Sequence, residues 1–239
     1  MNTKDIAYTC DDKTLTGYLA DGSNGRPTPG ILVCHQGGGL TEHARERARM
    51  LAELGYVAFA LDMYGEVATG REHAMALIGG LVADPPLLRR RARAGFDVLR
   101  AQPAVDAARL AAIGYCFGGA LVLELARTTP ELACVVSFHP GLSNQPERDD
   151  RKIACKVLVC AGAQDPLILP AARERLIELM TAAGADWQLQ VYADAGHSFT
   201  DRSVDAFGIP GFFFHERTDR RSWAAMRALF DEAFLPAAR

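Results

Sequence analysis

The sequence lacks the features that would place the protein in a membrane or on a nucleic acid. No apolar run among its 239 residues approaches the roughly 20 that a membrane-spanning helix needs. The opening segment MNTKDIAYTCDDK is polar and has no apolar core of a signal peptide. The net charge of −3 provides no dominant positive field for phosphates. We therefore expect a cytoplasmic protein with neither a membrane partner nor a nucleic-acid partner.

Paired cysteines and phosphate-binding loops are absent as well. None of the six cysteines forms a CxxC pair, which argues against a zinc ribbon or a thioredoxin-like site. The G-x-G-x-x-G spacing of dinucleotide-binding proteins and the GK[ST] of a P-loop are also missing. We therefore expect no cysteine-bound zinc site and no cofactor, and we expect most cysteines to pack as small apolar residues within strands.

Short β-rich runs alternate with longer helical runs along the chain. The run Gly30–His35 (GILVCH) is almost wholly apolar, as in strands that are buried on both faces of a parallel sheet. Strands that alternate with helices of about ten or more residues predict an α/β protein, with a mostly parallel central sheet covered by helices on both faces. The polar stretch Ser143–Lys152 is too short to mark a boundary. A single domain is therefore predicted over residues 1–239.

Periodicity and turn signals place the individual elements. The predicted strands are Ile6–Cys10, Leu15–Ala20, Gly30–His35, Tyr56–Leu61, Leu110–Gly114, Ala133–Phe138, Lys156–Ala161 and Trp187–Tyr192. The predicted helices cover about 41–54, 71–101 with a break at Pro85–Pro86, 118–127, 170–183 and 221–234. Thr41 is expected to cap the first of these helices, and Gly55 is expected to end it in the left-handed conformation.

The segment Gly114–Gly119 (GYCFGG) carries the clearest chemical signal. It has the form G-x-nucleophile-x-G, with the strand-like run RLAAIG before it and the helical run GALVLELAR after it. This form puts the nucleophile on a tight strand-to-helix turn, where small flanking residues avoid clashes. The thiol of Cys116 would then lie at a helix N-terminus, where the helix dipole and free N–H groups favour a thiolate. The alternative is a buried cysteine in a glycine-rich turn.

Two later segments supply a candidate acid and a candidate base. Asp165, in AGAQDP, closes an apolar strand, and His197, in DAGHSF, lies just past the last predicted strand. Each signal is weak alone, since an aspartate before proline is often a turn residue. Together with Cys116 they give the chain order nucleophile, acid, base that is typical of the α/β-hydrolase fold. A thiolate and an imidazole oriented by a carboxylate suffice for acyl transfer.

The glycine-rich segment His35–Gly39 (HQGGG) follows the first predicted parallel strand. In an α/β-hydrolase, one oxyanion donor comes from this loop and another from the residue after the nucleophile. We therefore predict that the backbone N–H groups of Gly37 and Phe117 form the oxyanion hole. The candidates for the substrate pocket are Gln36, Tyr64 and Phe199.

The other histidines have weaker signals. His43 and His73 lie in helical stretches and are expected at the surface. His139 ends a strand, so it either lines the pocket or is a core histidine with satisfied hydrogen bonds. His35 also ends a strand, beside the glycine loop, and a structural or supporting part is predicted for it.

Four segments together resemble the dienelactone hydrolase family: CHQGGGLTEHARERARMLAELGYVAFALDMYG, IGYCFGGAL, AGAQDP and DAGHSF. They span most of the chain, and the tail DRRSWAAMRALFDEAF is similar to the closing helix of such proteins. The resemblance implies a compact α/β-hydrolase domain without a large cap and without a metal. It also implies hydrolysis of a small ester or lactone, with Cys116 as nucleophile, His197 as base and Asp165 as the orienting acid.

The sequence departs from the family pattern at three positions. Gln36 stands where the family usually carries a glutamate near the thiol, and an amide cannot accept a proton at neutral pH. Glu66 and Asp201 stand where dienelactone-cleaving members carry arginines that hold the substrate carboxylate, and Arg202 follows Asp201. We therefore expect an uncharged ester or lactone rather than dienelactone itself.

Two other functions stay open at this point. The same residues could act in a thioesterase, or they could transfer an acyl group to a small alcohol. A catalytically degenerate binding protein on the same fold is the third possibility, and Gln36 is its sole support. A hydrolase of this size works as a monomer or as a small homo-oligomer.

Overall fold

The computed structural model describes residues 1–142, 149 and 151–234. The strands within these residues are β1 Asn2–Cys10, β2 Lys13–Asp21, β3 Thr28–Cys34, β4 Val57–Ala60, β5 Val105–Tyr115, β6 Leu132–Phe138, β7 Lys156–Gly162 and β8 Asp186–Tyr192. The α-helices are α1 Glu42–Glu53, α2 Arg71–Val82, α3 Pro85–Arg100, α4 Phe117–Thr128, α5 Pro170–Ala182 and α6 Glu216–Phe234. A 3₁₀ helix over Arg202–Phe207 precedes α6.

The described strands form one sheet in the order β1-β2-β4-β3-β5-β6-β7-β8. β2 pairs antiparallel with both β1 and β4, and every other neighbouring pair is parallel. The predicted α/β-hydrolase fold, with a mostly parallel sheet between helices, is confirmed. Most of the polar stretch 143–152 lies outside the described residues, and the single domain over 1–239 stays a prediction.

Two hydrophobic clusters lie on opposite faces of the sheet. Strand β3 contributes Leu32 and Cys34 to one cluster, and Ile31 and Val33 to the other, because successive side chains in a strand point to opposite faces. Helices α3, α4 and α5 cover the first cluster, and α1 and α6 cover the second. Burial on both faces explains the continuous apolar run that the sequence shows in β3.

The helix ends agree with the predicted signals, with two differences. The break near Pro85 separates α2 from α3, and Asp84 caps α3 by accepting the backbone N–H of Leu87 at 3.0 Å. Proline suits the first turn of a helix, because the N–H that it lacks has no partner there. Thr41 occupies the cap position of α1, but its side chain makes no capping hydrogen bond. Helix α6 begins at Glu216, five residues before the predicted start at 221.

The topology brings four loops to the same edge of the sheet. Strands β3, β5, β7 and β8 are parallel neighbours or near neighbours, so their carboxyl ends lie along one edge. The loops that follow these ends carry Gln36 and Gly37, Cys116, Asp165, and His197. Ligand sites of open α/β sheets form at this edge.

Candidate active site

Cys116 lies between the end of β5 and the first turn of α4. Its backbone has φ 52° and ψ −111°, and such a positive φ costs a non-glycine residue on the order of 1–3 kcal/mol. Two hydrogen bonds hold this conformation: the N–H of Cys116 donates to Phe138 O at 3.0 Å, and its carbonyl accepts from Gly141 N at 3.1 Å. Among the described cysteines, Cys116 alone is not fully buried. The turn therefore presents this thiol at the N-terminus of α4.

The flanking glycines make this turn possible. A Cβ on Gly114 would lie 2.0 Å from the carbonyl oxygen of Gly118, and a Cβ on Gly118 would lie 2.2 Å from the carbonyl oxygen of Cys34. Neither distance is sterically possible, so the backbones of β3, β5 and α4 approach each other only because both side chains are absent. The close approach is the physical reason for the glycine pattern around Cys116.

His197 and Asp165 form a buried hydrogen-bonded pair. His197 Nδ1–H donates to Asp165 Oδ2 at 2.8 Å, and neither side chain is exposed to solvent. The other carboxylate oxygen of Asp165 accepts the backbone N–H of Leu167 at 2.8 Å. The carboxylate is thus fixed in direction, and it fixes the tautomer and orientation of the imidazole.

The segment that follows the 3₁₀ helix holds the backbone of His197. The N–H of His197 donates to Gly211 O at 2.7 Å, and its carbonyl accepts from Phe213 N at 3.3 Å. The ring of Phe212 lies 4.7 Å from the imidazole, centre to centre. A Cβ on Gly196 would lie 2.2 Å from Gly211 O, so the glycine before His197 is needed for this approach. No motif or periodicity in the sequence indicates that this later segment supports the histidine.

The electrostatics of Cys116 and His197 favour a charged pair. Burial raises the pKa of the Cys116 thiol, but the nearby charge of His197 and the backbone N–H groups around the sulfur lower that pKa more, and the net pKa is below its ordinary value. Burial lowers the pKa of His197, but the charge of Cys116 and the hydrogen bond to Asp165 raise it to about 10. The lowered pKa of the thiol and the raised pKa of the imidazole both mean that the charged form is stabilised, so the pair favours a thiolate beside an imidazolium.

The backbone N–H groups predicted as oxyanion donors lie close enough to the Cys116 sulfur to affect its pKa. The backbone N–H groups of Phe117 and Gly37 both stabilise the negative charge of Cys116 and so lower its pKa. The loop that carries Gly37 is fixed by His35, whose Nδ1–H donates to Gln36 O at 2.6 Å while its Nε2 accepts from Met63 N at 3.1 Å. The structural part predicted for His35 agrees with these two bonds.

The three pocket candidates lie in different surroundings. Tyr64 is buried, and its ring lies 4.8 Å from that of His35 and 5.7 Å from that of Phe117. Burial raises the pKa of Tyr64, and the charge of Cys116 raises it further, which places the phenol near the thiol. Phe199 is a core residue, fully buried against His139 rather than in an open pocket. The Gln36 side chain forms hydrogen bonds with Ser198 and Asp201, in the loop after His197.

Glu66 and Asp201 stand at the two positions where the family resemblance implies an arginine, and the neighbouring Arg202 is not directed into the site. The Glu66 carboxylate pairs with Lys13 at 3.6 Å and with His73 at 3.4 Å, and all three side chains are partly exposed. The Arg202 guanidinium lies over the ring of Phe214 at 4.2 Å, and 72% of its side chain is exposed. The described residues therefore give the site no cation from these positions for holding a substrate carboxylate.

A buried polar network lies behind His197, and the sequence did not predict it. The ring of His139 packs 5.3 Å from that of His197, and its Nε2 forms a hydrogen bond with Thr200 Oγ1 at 2.8 Å. The same Thr200 oxygen lies 3.2 Å from His43 Nε2. Arg47 donates to the carbonyl of Thr200 as well. The expectation that His43 lies at the surface is wrong: 7% of it is exposed, because the loop after His197 covers it.

No group of three or more His, Cys, Asp or Glu side chains within the described ranges could hold a metal ion. Of the helices described, none combines the length and the apolar character that crossing a membrane requires.

Comparisons with known proteins agree on one family. The model of the dienelactone hydrolase family matches residues 15–234. The solved structure named m3DLH is 43% identical, covers 98% of this chain and 99% of its own, and has a TM-score of 0.93. A dienelactone hydrolase-like promiscuous phosphotriesterase from metagenomic libraries is 40% identical, with the same coverage and a TM-score of 0.92. A Salmonella typhimurium relative named "Putative carboxymethylenebutenolidase" is 29% identical over 84% of this chain and 76% of its own.

Proposed function

The chain belongs to the dienelactone hydrolase family and is a carboxylic ester or lactone hydrolase, and we propose that it works through an acyl-enzyme on Cys116. The observation that carries the proposal is the arrangement of three groups. The thiol of Cys116, whose backbone is strained, lies at the N-terminus of α4, beside an imidazole that is fixed by a fully buried carboxylate. Such a set supplies a nucleophile, a proton carrier and an orienting group.

In the acylation step, the Cys116 thiolate attacks the carbonyl carbon of the ester. A C–S bond forms, and the carbonyl electron pair moves onto the oxygen. The N–H groups of Gly37 and Phe117, which stabilise the resting thiolate, then stabilise the oxyanion to which that charge has moved. The intermediate collapses by breaking the C–O bond, and the leaving oxygen takes the proton from His197 Nε2. For a lactone, this alcohol remains attached to the acyl group.

In the deacylation step, water replaces the alcohol as the attacking group. His197 Nε2, now neutral, accepts a proton from the water as its oxygen attacks the thioester carbon. The second tetrahedral intermediate collapses with cleavage of the C–S bond. The carboxylic acid leaves, and the Cys116 thiolate and His197 imidazolium are restored. Asp165 keeps Nε2 directed at the sulfur through both steps by holding Nδ1 at 2.8 Å.

We propose an uncharged ester or lactone as the substrate class. The position of Glu66 and the outward direction of Arg202 leave the two expected anion-holding positions without a cation in the site. A carboxylate-bearing substrate would lose its hydration without gaining an ion pair, which is unfavourable. A neutral substrate avoids this cost.

A neutral phosphotriester is a second candidate substrate. The relative that is 40% identical is named a promiscuous phosphotriesterase, and a triester carries no charge that would require an arginine. The thiolate would attack phosphorus to form a P–S bond while one P–O ester bond breaks, the departing oxygen would take the proton from His197, and the oxyanion donors would stabilise the phosphoryl oxygen. A triester and a lactone therefore belong in the same substrate panel, together with a thioester and with a small alcohol as acyl acceptor.

The proposal is tested by hydrolysis of a short aryl acetate, combined with mass spectrometry of the quenched enzyme. We expect wild type to turn over and to carry an acetyl group on Cys116. We expect Cys116→Ala and His197→Ala to fall to background, and Asp165→Asn to lose on the order of 10⁴-fold in kcat. The matched control is Cys10→Ala, which removes a thiol at the end of β1 and should behave as wild type.

Two results would contradict the mechanism. Acetyl label on a residue other than Cys116 would show a different nucleophile. An inactive wild type that still binds the neutral esters and lactones of the panel would favour the binding-protein alternative over a hydrolase.

A further inference from the structure

The Gln36 side chain connects the two loops on which the candidate site depends. Its Nε2–H donates to Asp201 Oδ2 at 2.7 Å, and its Oε1 accepts from Ser198 Oγ at 3.1 Å. Gln36 immediately precedes Gly37, and Ser198 immediately follows His197. One amide thus connects the backbone that carries an oxyanion donor to the backbone that carries the imidazole.

Both ends of this connection are fixed to the protein. On one side, the Gln36 carbonyl accepts from His35 Nδ1 at 2.6 Å and from Gly39 N at 3.2 Å. On the other side, Asp201 Oδ1 accepts the backbone N–H of Ser203 at 2.8 Å, which caps the 3₁₀ helix, and also accepts from Ser203 Oγ. The amide therefore joins two rigid segments and not two free side chains.

An amide is the side chain that matches these two partners. Burial raises the pKa of Asp201, but His43, Ser203 and Gln36 lower it more, and the net pKa is below its ordinary value. The Asp201 carboxylate is therefore ionised at neutral pH and accepts hydrogen bonds without donating any. Gln36 offers it a donor and at the same time offers an acceptor to Ser198. A carboxylate at position 36 would instead face another carboxylate.

We propose that Gln36 is a positioning residue. Together with Asp201, its hydrogen-bond partner, it holds the Gly37 N–H and the His197 imidazole in the correct relative position around the Cys116 sulfur. This inference rests on the proposed function and adds to it a role for the residue that departs from the family pattern. Ser198 has a φ of 56°, so its backbone is itself strained, and the bond to Gln36 helps to hold the turn next to His197. A displacement of about 1 Å at such a position costs up to about 10²-fold in rate.

The test exchanges the amide and the carboxylate between positions 36 and 201. Gln36→Glu sets two carboxylates against each other, and we expect kcat on the aryl acetate to fall ten- to a hundredfold while KM changes less than about threefold. In the double variant Gln36→Glu/Asp201→Asn, the amide introduced at position 201 replaces the lost donor, and its carbonyl keeps the bonds to Ser203. We expect the double variant to recover most of the lost kcat. Asp201→Asn alone completes the cycle that measures the coupling.

A control and a second measurement separate positioning from general damage. Gln188→Glu adds the same charge on the exposed side of β8, and it should leave kcat at the wild-type value. The rate at which iodoacetamide alkylates Cys116 needs no turnover, and it should fall in Gln36→Glu and recover in the double variant. A merely structural defect would lower Tm in both variants without this recovery.

The inference and the proposed function fail in different ways. If Cys116→Ala keeps wild-type activity, the proposed function is wrong and the positioning role is overturned with it. If activity depends on Cys116 but Gln36→Glu equals wild type in kcat and alkylation rate, the positioning role alone is overturned. A double variant that is as slow as Gln36→Glu also overturns it.

Discussion

Gly118 donates its backbone N–H to the carbonyl oxygen of His35 at 3.0 Å, which joins the first turn of α4 to the loop after β3. The two backbones are so close that a Cβ on Gly118 would lie 2.6 Å from the same carbonyl oxygen. The loop carries one predicted oxyanion donor, Gly37, and the turn carries the other, Phe117. A direct contact between main chains therefore joins the two elements that carry these donors, and the Gln36 side chain acts on the Gly37 end of the loop.

We expect Gly118→Ala to damage both stability and activity. The added methyl group would overlap backbone oxygen atoms that cannot move independently of β3, so the free energy of unfolding should fall by about 1–3 kcal/mol. The displaced turn should also lower kcat. Denaturant unfolding and aryl acetate hydrolysis measure the two effects.

Gly80→Ala is the matched control for this variant. Gly80 lies in α2 and has no atom within 4 Å of an added Cβ, so alanine there should be neutral or stabilising by about 0.5–1 kcal/mol. Equal stability of the two alanine variants would show that the backbones at Gly118 can separate without cost.

A bell-shaped pH dependence of kcat/KM is expected from the Cys116–His197 pair. The acid limb follows Cys116, whose pKa is lowered chiefly by His197, so activity rises as the thiolate forms. The alkaline limb follows His197, whose pKa is raised to about 10 by Cys116 and Asp165, so activity falls when the imidazolium loses the proton that the leaving group needs. The plateau should therefore lie between the lowered pKa of Cys116 and the pKa of about 10 of His197.

Alkylation by iodoacetamide provides an independent measure of the same pair. Wild-type Cys116, whose pKa is lowered, should be alkylated at a lower pH than the other cysteines, since those are buried, and burial raises the pKa of Cys155, for example, to about 11. In His197→Ala the burial of the thiol remains but its main stabilising charge is gone, so the midpoint of alkylation should move to higher pH. A midpoint that is the same in both proteins would show that His197 does not stabilise the thiolate.

The candidate triad can be predicted because each member has a local signal. Cys116 lies in a glycine pattern that only a tight turn requires, and Asp165 and His197 each follow an apolar strand. Parallel strands deliver such residues to one edge, so sequence order and element type are enough to place them together. The structure shows His197 and Asp165 in direct contact at 2.8 Å.

The supports of the site cannot be predicted, because their partners are distant in sequence. Gly211 accepts the N–H of His197 from a segment that has no periodicity, and Gln36 meets Asp201 across 165 positions. The expectation for His43 fails because a helical stretch does not reveal which polar residue another loop will cover. Phe199 follows the base closely in sequence, which suggests the pocket, but the strained turn at Ser198 directs it into the core.

Tyr64→Phe should lower activity without lowering stability. The Tyr64 hydroxyl is buried and has no hydrogen-bond partner within the described part of the chain, although an unpaired buried hydroxyl costs on the order of 1–3 kcal/mol. The hydroxyl lies near the charge of Cys116, and we expect it to donate to a substrate oxygen at the thiol. Its loss should reduce kcat about tenfold, or about 1.4 kcal/mol in the activation free energy, while Tm stays the same or rises.

Tyr115→Phe is the comparison that isolates this role. The Tyr115 hydroxyl is also buried and unpaired within the described residues, but its side chain packs into the cluster on the other face of the sheet. Both phenylalanine variants should therefore gain or keep stability, because each loses an unsatisfied hydroxyl. The kcat of the Tyr64 variant alone should fall. Equal kcat values for Tyr64→Phe and wild type would mean that the hydroxyl makes no bond in the transition state, and that Tyr64 contributes shape alone to the site.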